Sequence, residues 1–189
     1  MTHSRWQNKY QNQDGPGTAC EILLKNQHLL PASGQALDLA CGLGGNALLL
    51  ASKGLQCHAW DFSSAALKKL NRFAKTDQLD ITTKEIDLET SAFPKTQFDV
   101  IVVSHYLHRS LCANICDALA PGGLLFYQTF CQQKAFEQGP KSAKFLLAEN
   151  ELLSLFTALK LVVYREERLI GNTSEGFRNQ AMLIAQKPS

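Results

Sequence analysis

The sequence predicts an α/β protein built on one mostly parallel, doubly wound sheet, and three observations predict it. Strand-like and helix-like segments alternate along most of the 189 residues. Phe98 to Ser104, FDVIVVS, is an almost unbroken β-branched run, the composition of a central strand buried on both faces. Ala36 to Gly45, ALDLACGLGG, passes from apolar residues through an acidic one into glycines at 42, 44 and 45. That is a buried strand turning sharply into a helix, with no Cβ atoms to keep a ligand from the backbone.

Each element follows from local pattern. Thr18 to Leu30 has the apolar spacing of a helix and is closed by Pro31 and Gly34. Gln35 to Cys41 is the first strand, and Asn46 to Lys53 the helix beyond the glycine turn, stopped by Gly54. Leu55 to Phe62 is the second strand. Ser63 caps a helix reaching about Ala74, with Ala66, Leu67, Leu70 and Phe73 at helical period. Ile81 to Leu88 and Phe98 to Ser104 are the third and fourth strands. A helix from about Leu107 to Leu119 ends in Ala-Pro-Gly-Gly, a strong turn signal. Leu124 to Phe130 is the fifth strand, and Glu149 to Leu159 one more helix. Leu161 to Ile170 and Ala181 to Gln186 have no crossover helix between them, so they pair antiparallel.

Composition narrows the class. Forty-five per cent hydrophobic and 19% charged residues suit a globular chain. A formal charge of +2 gives no broad field for nucleic acid or a membrane surface, and no apolar run is long enough to span a bilayer. The basic cluster Lys68, Lys69 and Arg72 reads as a solvated helix face. The polar N-terminus lacks a signal-peptide centre, and six cysteines without a C-x-x-C pair read as reduced thiols in a cytoplasmic protein with no metal set.

The glycine turn suits a nucleotide-like ligand. Gly42-x-Gly44-x-x-Ala47 formally fits a dinucleotide fingerprint, and Asp61 ends the second strand at a suitable distance for a ribose contact. An NAD(P)-binding oxidoreductase is therefore one reading. Against it stand Asp38, an acidic residue inside the strand where such sites keep apolar ones, and a length that leaves little for a second nucleotide.

Asp38-x-Ala40-x-Gly42-x-Gly44 resembles motif I of the class I S-adenosylmethionine-dependent methyltransferases, and the resemblance runs over nearly the whole chain. Asp61 resembles the acidic residue that binds the ribose hydroxyls. Asp87, with Leu88 beside it, resembles the carboxylate after the third strand that contacts the adenine amino group. Phe98-Asp99 is similar to the FD opening the fourth strand, and Ala120-Pro121-Gly122-Gly123 to the turn before the fifth. The short Trp6-x-x-x-Tyr10 opening and the length resemble small bacterial methyltransferases of the tellurite-resistance, TehB-like branch. The one departure is Ala40 for the motif's first glycine, expected to lie within the strand where a methyl group is tolerated.

The resemblance implies a single Rossmann-like domain over residues 1–189, with 1–34 an N-terminal cap and 35–189 the core. It implies a seven-stranded sheet of order 3-2-1-4-5-7-6 whose last-placed strand is antiparallel. The implied cofactor is S-adenosyl-L-methionine, held by Asp38, Ala40, Gly42, Gly44, Asp61, Phe62, Asp87, Leu88 and Ser104, with Arg5 and Tyr10 from the cap. His105, Tyr106 and His108 would meet the reacting atoms: a histidine as general base, and Tyr106 or Phe130 facing the sulfonium. Arg109 reads either as an anion ligand or as a solvated helix face. Cys131 to Ala148 reads as a lid whose Phe136 and Phe145 cover the acceptor. The expected partner is a small-molecule methyl acceptor used by a monomer or homodimer, with an RNA or protein acceptor the alternative. No Asn-Pro-Pro-Tyr-like tetrapeptide follows the fourth strand, which argues against an exocyclic base or amide nitrogen.

Overall fold

A computed structural model of the protein describes residues 10, 13, 15–93 and 95–189. Seven strands form one sheet in the order β3-β2-β1-β4-β5-β7-β6, the order the family resemblance implies. They are β1 (Gln35–Leu39), β2 (Gln56–Asp61), β3 (Ile81–Glu85), β4 (Phe98–Ser104), β5 (Leu119–Phe130), β6 (Lys160–Glu166) and β7 (Gln180–Gln186). Neighbouring strands from β3 to β5 are parallel, and β7 runs antiparallel to both β5 and β6.

The period of two along β1 and β4 sorts side chains onto the two faces. Val100 and Val102 join Ala36, Ala59 and Phe126 on one face. Ile22 and Leu23 of α1 (Glu21–Lys25), Ala47 and Leu50 of α2 (Gly45–Ser52), and Leu67 and Leu70 of α3 (Ser64–Thr76) cover that face. Ile101 and Val103 join Leu37, Leu39 and Tyr127 on the other, covered by Ile115 of α4 (Cys112–Ala118) and Leu152 of α5 (Glu151–Leu155). Both faces of β4 are thus dry, as its unbroken apolar run requires.

Elements are shorter than the pattern predicts where the chain tightens. The first predicted helix is the single turn and a half of α1 followed by a 3₁₀ turn, Gln27–Leu29, and a 3₁₀ turn at Arg109–Leu111 likewise precedes α4. The Ala-Pro-Gly-Gly signal lies inside β5 as a register shift, because Leu119 already pairs with Phe98 before the ladder resumes at Val100 and Leu124.

Two of the motif residues earn their place through the fold itself. Asp99 Oδ2 accepts the backbone N–H of Gln35 at 2.7 Å and so fixes where β1 begins. A Cβ on Gly34 would overlap that same carboxylate. Gly44 has φ +76°, and a Cβ there would overlap Leu70 Cδ1 of α3. Gly44→Ala should therefore lose about 2–3 kcal/mol, from left-handed strain plus overpacking, measured as a lower urea midpoint with unchanged slope.

Candidate functional site

β1 ends at Leu39, and Ala40 turns away from it with φ +56°. The expectation that Ala40 still lies in the strand is corrected: it occupies the left-handed conformation that glycine adopts without strain, and its methyl group costs energy. Gly42 follows with φ +53°, and a Cβ there would come within 2.8 Å of the Tyr10 hydroxyl. Gly44 was expected against the cofactor; its Cβ direction faces Leu70, and it is absent from the described cavity wall, which Ala40, Cys41, Gly42, Leu43 and Gly45 line. A Cβ on Gly45 would overlap Gly17 O, so the segment before α1 packs directly on the turn.

Asp38 is wholly buried and supports the turn from beneath. Its Oδ2 accepts the Ala47 N–H at 3.0 Å, one of the unpaired donors at the start of α2, and its Oδ1 accepts Asn46 Nδ2 at 3.1 Å. Burial pushes the Asp38 carboxyl up to about 7, while these bonds pull the other way. Asn46 is the residue the sequence reading missed. Its Nδ2 also reaches Ser104 Oγ at 3.0 Å, and its Oδ1 accepts the Cys20 N–H at 2.9 Å. One amide thus ties β1, the end of β4 and the segment entering α1. An asparagine following Gly-Gly looks like an ordinary helix start, so no local pattern announces it.

Asp61, at the end of β2, is also buried, and burial raises its carboxyl above the usual range. Its Oδ2 accepts the Gly42 N–H and its Oδ1 the Ser63 N–H, both at 2.8 Å. A carboxylate has about four acceptor positions, so it can still receive hydroxyls of a ligand. Phe62, Asp87 and Leu88 line the same cavity beside it. Tyr10 lines it from above, and burial, then Asp61, raises its hydroxyl well beyond the ordinary tyrosine range. Lys69 Nζ donates to the carbonyls of Tyr10 and Gln13 at 2.7 Å each. Lys69 is therefore a clasp on the N-terminal segment, not part of a solvated face. Arg5 lies outside the described residues.

Beyond β4 the wall becomes aromatic. Ser104, His105, Tyr106, Phe130, Pro140 and Phe145 line it. His105 has φ +55°, its ring centroid is 5.1 Å from that of Phe130, and its Nε2 is 3.2 Å from Gln180 Oε1. A donor-only group sets the ring's tautomer. The Ile22 N–H donates to Gln128 Oε1 at 2.8 Å, so Gln128 turns its Nε2 toward Gln180 Oε1 at 2.9 Å. Gln180 therefore presents oxygen to His105, the ring proton sits on Nε2, and Nδ1 is the basic nitrogen of the neutral ring. The Tyr106 hydroxyl is buried with no hydrogen-bond partner among the described residues, and burial raises it above its usual range. His108 is corrected: it is absent from the cavity wall, its Nδ1 meets Ser110 Oγ at 3.1 Å, and its ring stacks on Tyr106.

Arg109 is exposed, but it is tied to the neighbouring segment rather than free on a helix face. It grips Glu151 through Nε at 2.5 Å and Nη2 at 2.9 Å, and donates to the carbonyls of Lys144 and Leu146. This pairing lowers the Glu151 carboxyl below its usual range. The segment expected as a lid is stapled further by Asn179, which accepts the Ala135 N–H and donates to Phe136 O. Phe145 lines the cavity, but Phe136 is 52% exposed and does not.

These walls enclose a cavity of about 1190 Å³ at the carboxyl ends of the parallel strands. That exceeds the roughly 300–1,000 Å³ of a single drug-sized site, so cofactor and a second molecule can share it. The residues fit the nucleotide-like cofactor: the backbone turn of Ala40 to Gly42 and two acidic residues, Asp61 and Asp87, line one cavity.

A methyltransferase-domain family model matches residues 36–123, the stretch from β1 to the bulge of β5. No curated protein matches the chain in sequence. Among solved structures, the chain is similar to TehB from Haemophilus influenzae, at 23% identity and TM-score 0.71 over 96% of this chain, but it spans only 65% of that protein's length. It is similar to a SAM-dependent methyltransferase from Methanosarcina mazei at 20% identity and TM-score 0.67, covering 91% of this chain and 99% of that one. A coclaurine N-methyltransferase bound to N-methylheliamine and S-adenosylhomocysteine matches at 15% identity and TM-score 0.66, over 88% and 68% of the two chains. The fold is the one these solved structures share, and the stretch matched by the family model holds the glycine turn, Asp61 and Asp87.

Two outcomes follow from the buried turn. Ala40→Gly should raise stability by up to about 1 kcal/mol, the left-handed strain relieved less the entropy of the freer unfolded chain, read as a higher melting temperature. The folded chain holds the Asp38 proton more tightly than the unfolded chain, so this group's stabilisation is complete below its ordinary 3.8 and lost as pH rises through about 7. Melting temperature should accordingly fall between about pH 5 and about pH 8, and Asp38→Asn should flatten that slope; an unchanged slope would remove Asp38 as its source.

Proposed function

We propose that the protein transfers the methyl group of S-adenosyl-L-methionine to a small molecule. The observation that carries this reading is one continuous cavity with two unlike walls. The turn, Asp61, Phe62, Asp87 and Leu88 form a polar and backbone-rich end, and His105, Tyr106, Phe130 and Phe145 form an aromatic end, with Ser104 and Asn46 at the join. When bound, the cofactor supplies an electrophilic methyl group on a sulfonium. The chain's own residues then position and shield. Asp61 receives the ribose hydroxyls with the acceptor positions that Gly42 and Ser63 leave, and Tyr10, whose carbonyl Lys69 clasps, shields them from water. Tyr106 and Phe130 face the sulfonium, and His105, with its tautomer set by Gln180, takes up a proton the acceptor gives up.

A cavity of about 1190 Å³ suits cofactor plus a small acceptor, and a formal charge of +2 offers no broad surface for nucleic acid. We place the enzyme in the cytoplasm on its unpaired cysteines, all six of which carry free thiols. Among the described residues no helix is long and apolar enough to cross a membrane.

S-adenosylhomocysteine should raise the melting temperature and NAD should not, since a ligand bound only to the folded state adds about 2.7 kcal/mol at a hundredfold excess over Kd. Asp61→Ala should weaken that binding by about 1.5–3 kcal/mol and also lower stability, because it strands the Gly42 and Ser63 N–H groups. An equal or larger shift with NAD would sink the reading.

A further inference from the structure

We propose that the methyl acceptor is a basic amine carried on a flat ring, and not an oxyanion. The inference rests on the methyl-transfer reading above and names the substrate class of the same site. Three observations carry it. The acceptor end is walled by rings: His105 and Phe130 lie 5.1 Å apart at an interplanar angle of 32°, with Tyr106 and Phe145 completing the wall. Among the described residues, the carboxylate- and ammonium-type groups on the cavity wall are all acidic: Asp61, Asp87 and Glu89. And the Tyr106 hydroxyl, on a residue that lines this end, is buried without a hydrogen-bond partner among the described residues and is able to donate or accept.

Three basic side chains around this end, Arg109, Lys134 and Lys144, hold other partners, and Lys141 is not on the cavity wall. Arg109 is spent on Glu151 and two carbonyls. Lys134 Nζ caps the carbonyls of Gln138 and Pro140 at 2.7 and 2.5 Å. Lys144 lies 3.9 Å from Glu89 and 5.3 Å over the Phe145 ring, which shows that this ring already accepts an ammonium on one face. An oxyanion taken into such a wall loses its hydration, meets carboxylates of like sign and finds only neutral donors. An ammonium or amine meets the opposite balance, attracted both by ring faces and by the acidic rim.

The chemistry closes with the same groups. The ammonium form first gives its proton to His105 Nδ1 or to water. The nitrogen lone pair then forms the bond to the methyl carbon, and the electron pair of the breaking carbon–sulfur bond stays on sulfur. The positive charge thereby moves onto the nitrogen, beside the rings that favour it there. A basic amine needs no side chain to make its nitrogen nucleophilic, consistent with Ser104-His105-Tyr106-Leu107 standing where an amide-activating tetrapeptide would be.

Calorimetric titration of the S-adenosylhomocysteine complex tests this with three probes: 2-phenylethylamine, 2-phenylethanol as its uncharged counterpart, and selenite. The amine should bind about tenfold more tightly than either of the others, the scale of a desolvated cation–ring contact. Tyr106→Phe keeps the ring and, titrated as its S-adenosylhomocysteine complex, should bind the amine about three- to tenfold more weakly, the worth of one hydrogen bond, with 2-phenylethanol as the control for the ring wall. Selenite binding as tightly as the amine, an amine no tighter than the alcohol, or no amine binding at all overturns the inference while leaving the cofactor reading intact. Failure to bind S-adenosylhomocysteine in the first titration overturns both.

Discussion

Everything at the cleft depends on a single buried carboxylate meeting the first turn of a helix. Asp38 sits at the centre of the sheet with no solvent contact, and it accepts the Ala47 N–H and the Asn46 amide of α2. That pair of bonds sets where α2 begins and so fixes the path of the five residues between strand and helix. Asn46 then extends the constraint sideways to Ser104 on β4 and to Cys20 ahead of α1. A carboxyl held in so dry a place is costly to ionise, and the cost is tolerated because no uncharged side chain of that size presents two acceptors in line with those donors.

The two flanks of the cleft are held by clasps of a common kind, in which a long basic side chain donates to backbone carbonyls. Lys69 does this for Tyr10 and Gln13, Lys134 for Gln138 and Pro140, and Arg109 for Lys144 and Leu146. Loops carry carbonyls with no ladder partner, and a cation satisfies them where a neutral donor would be weaker. The consequence reaches function. Three cations near the cleft thus shape its flanks, and the described wall itself carries aromatic and acidic side chains.

The fold was legible because it rests on repeating patterns. The period of two in β4, the helical spacing of α3 and the absence of a crossover before β7 each reflect a local rule, and the sheet order came with the resemblance of the motifs. The site was legible only in part. That Asp61, Asp87 and Gly42 would come together on one cavity wall was legible because acidic strand ends and glycine turns have a compact signature. Asn46, Gln128 and Gln180 could not, since their roles come from partners as far as 106 residues away in sequence. Lys69 and Arg109 misled for the same reason: a cation on a helix looks solvated until the loop it holds is placed beside it. His108 shows the converse error, where nearness in sequence to His105 was taken for nearness to the cavity.

Ala40 and His105 share a feature that links strain to position. Each is a non-glycine residue with positive φ, each follows directly on a parallel strand, and those strands, β1 and β4, are neighbours. The order of the sheet reverses between them, with β2 and β3 lying on one side and β5 on the other. At such a switch point the connections leave in opposite directions and a crevice opens between them. A chain leaving each strand must bend at once to avoid filling that crevice, and the left-handed conformation makes the sharpest bend within one residue. Left-handed strain of about 1–2 kcal/mol at each place is of the size that surrounding structure can hold. At Ala40 the buried Asp38–Asn46 network holds it, and at His105 the bond from its N–H to Gln128 O does so, 2.8 Å long. The strain therefore maintains the opening itself: relaxing either bend would let the backbone of β1 or β4 run on into the cavity that Gly42 and Ser104 line.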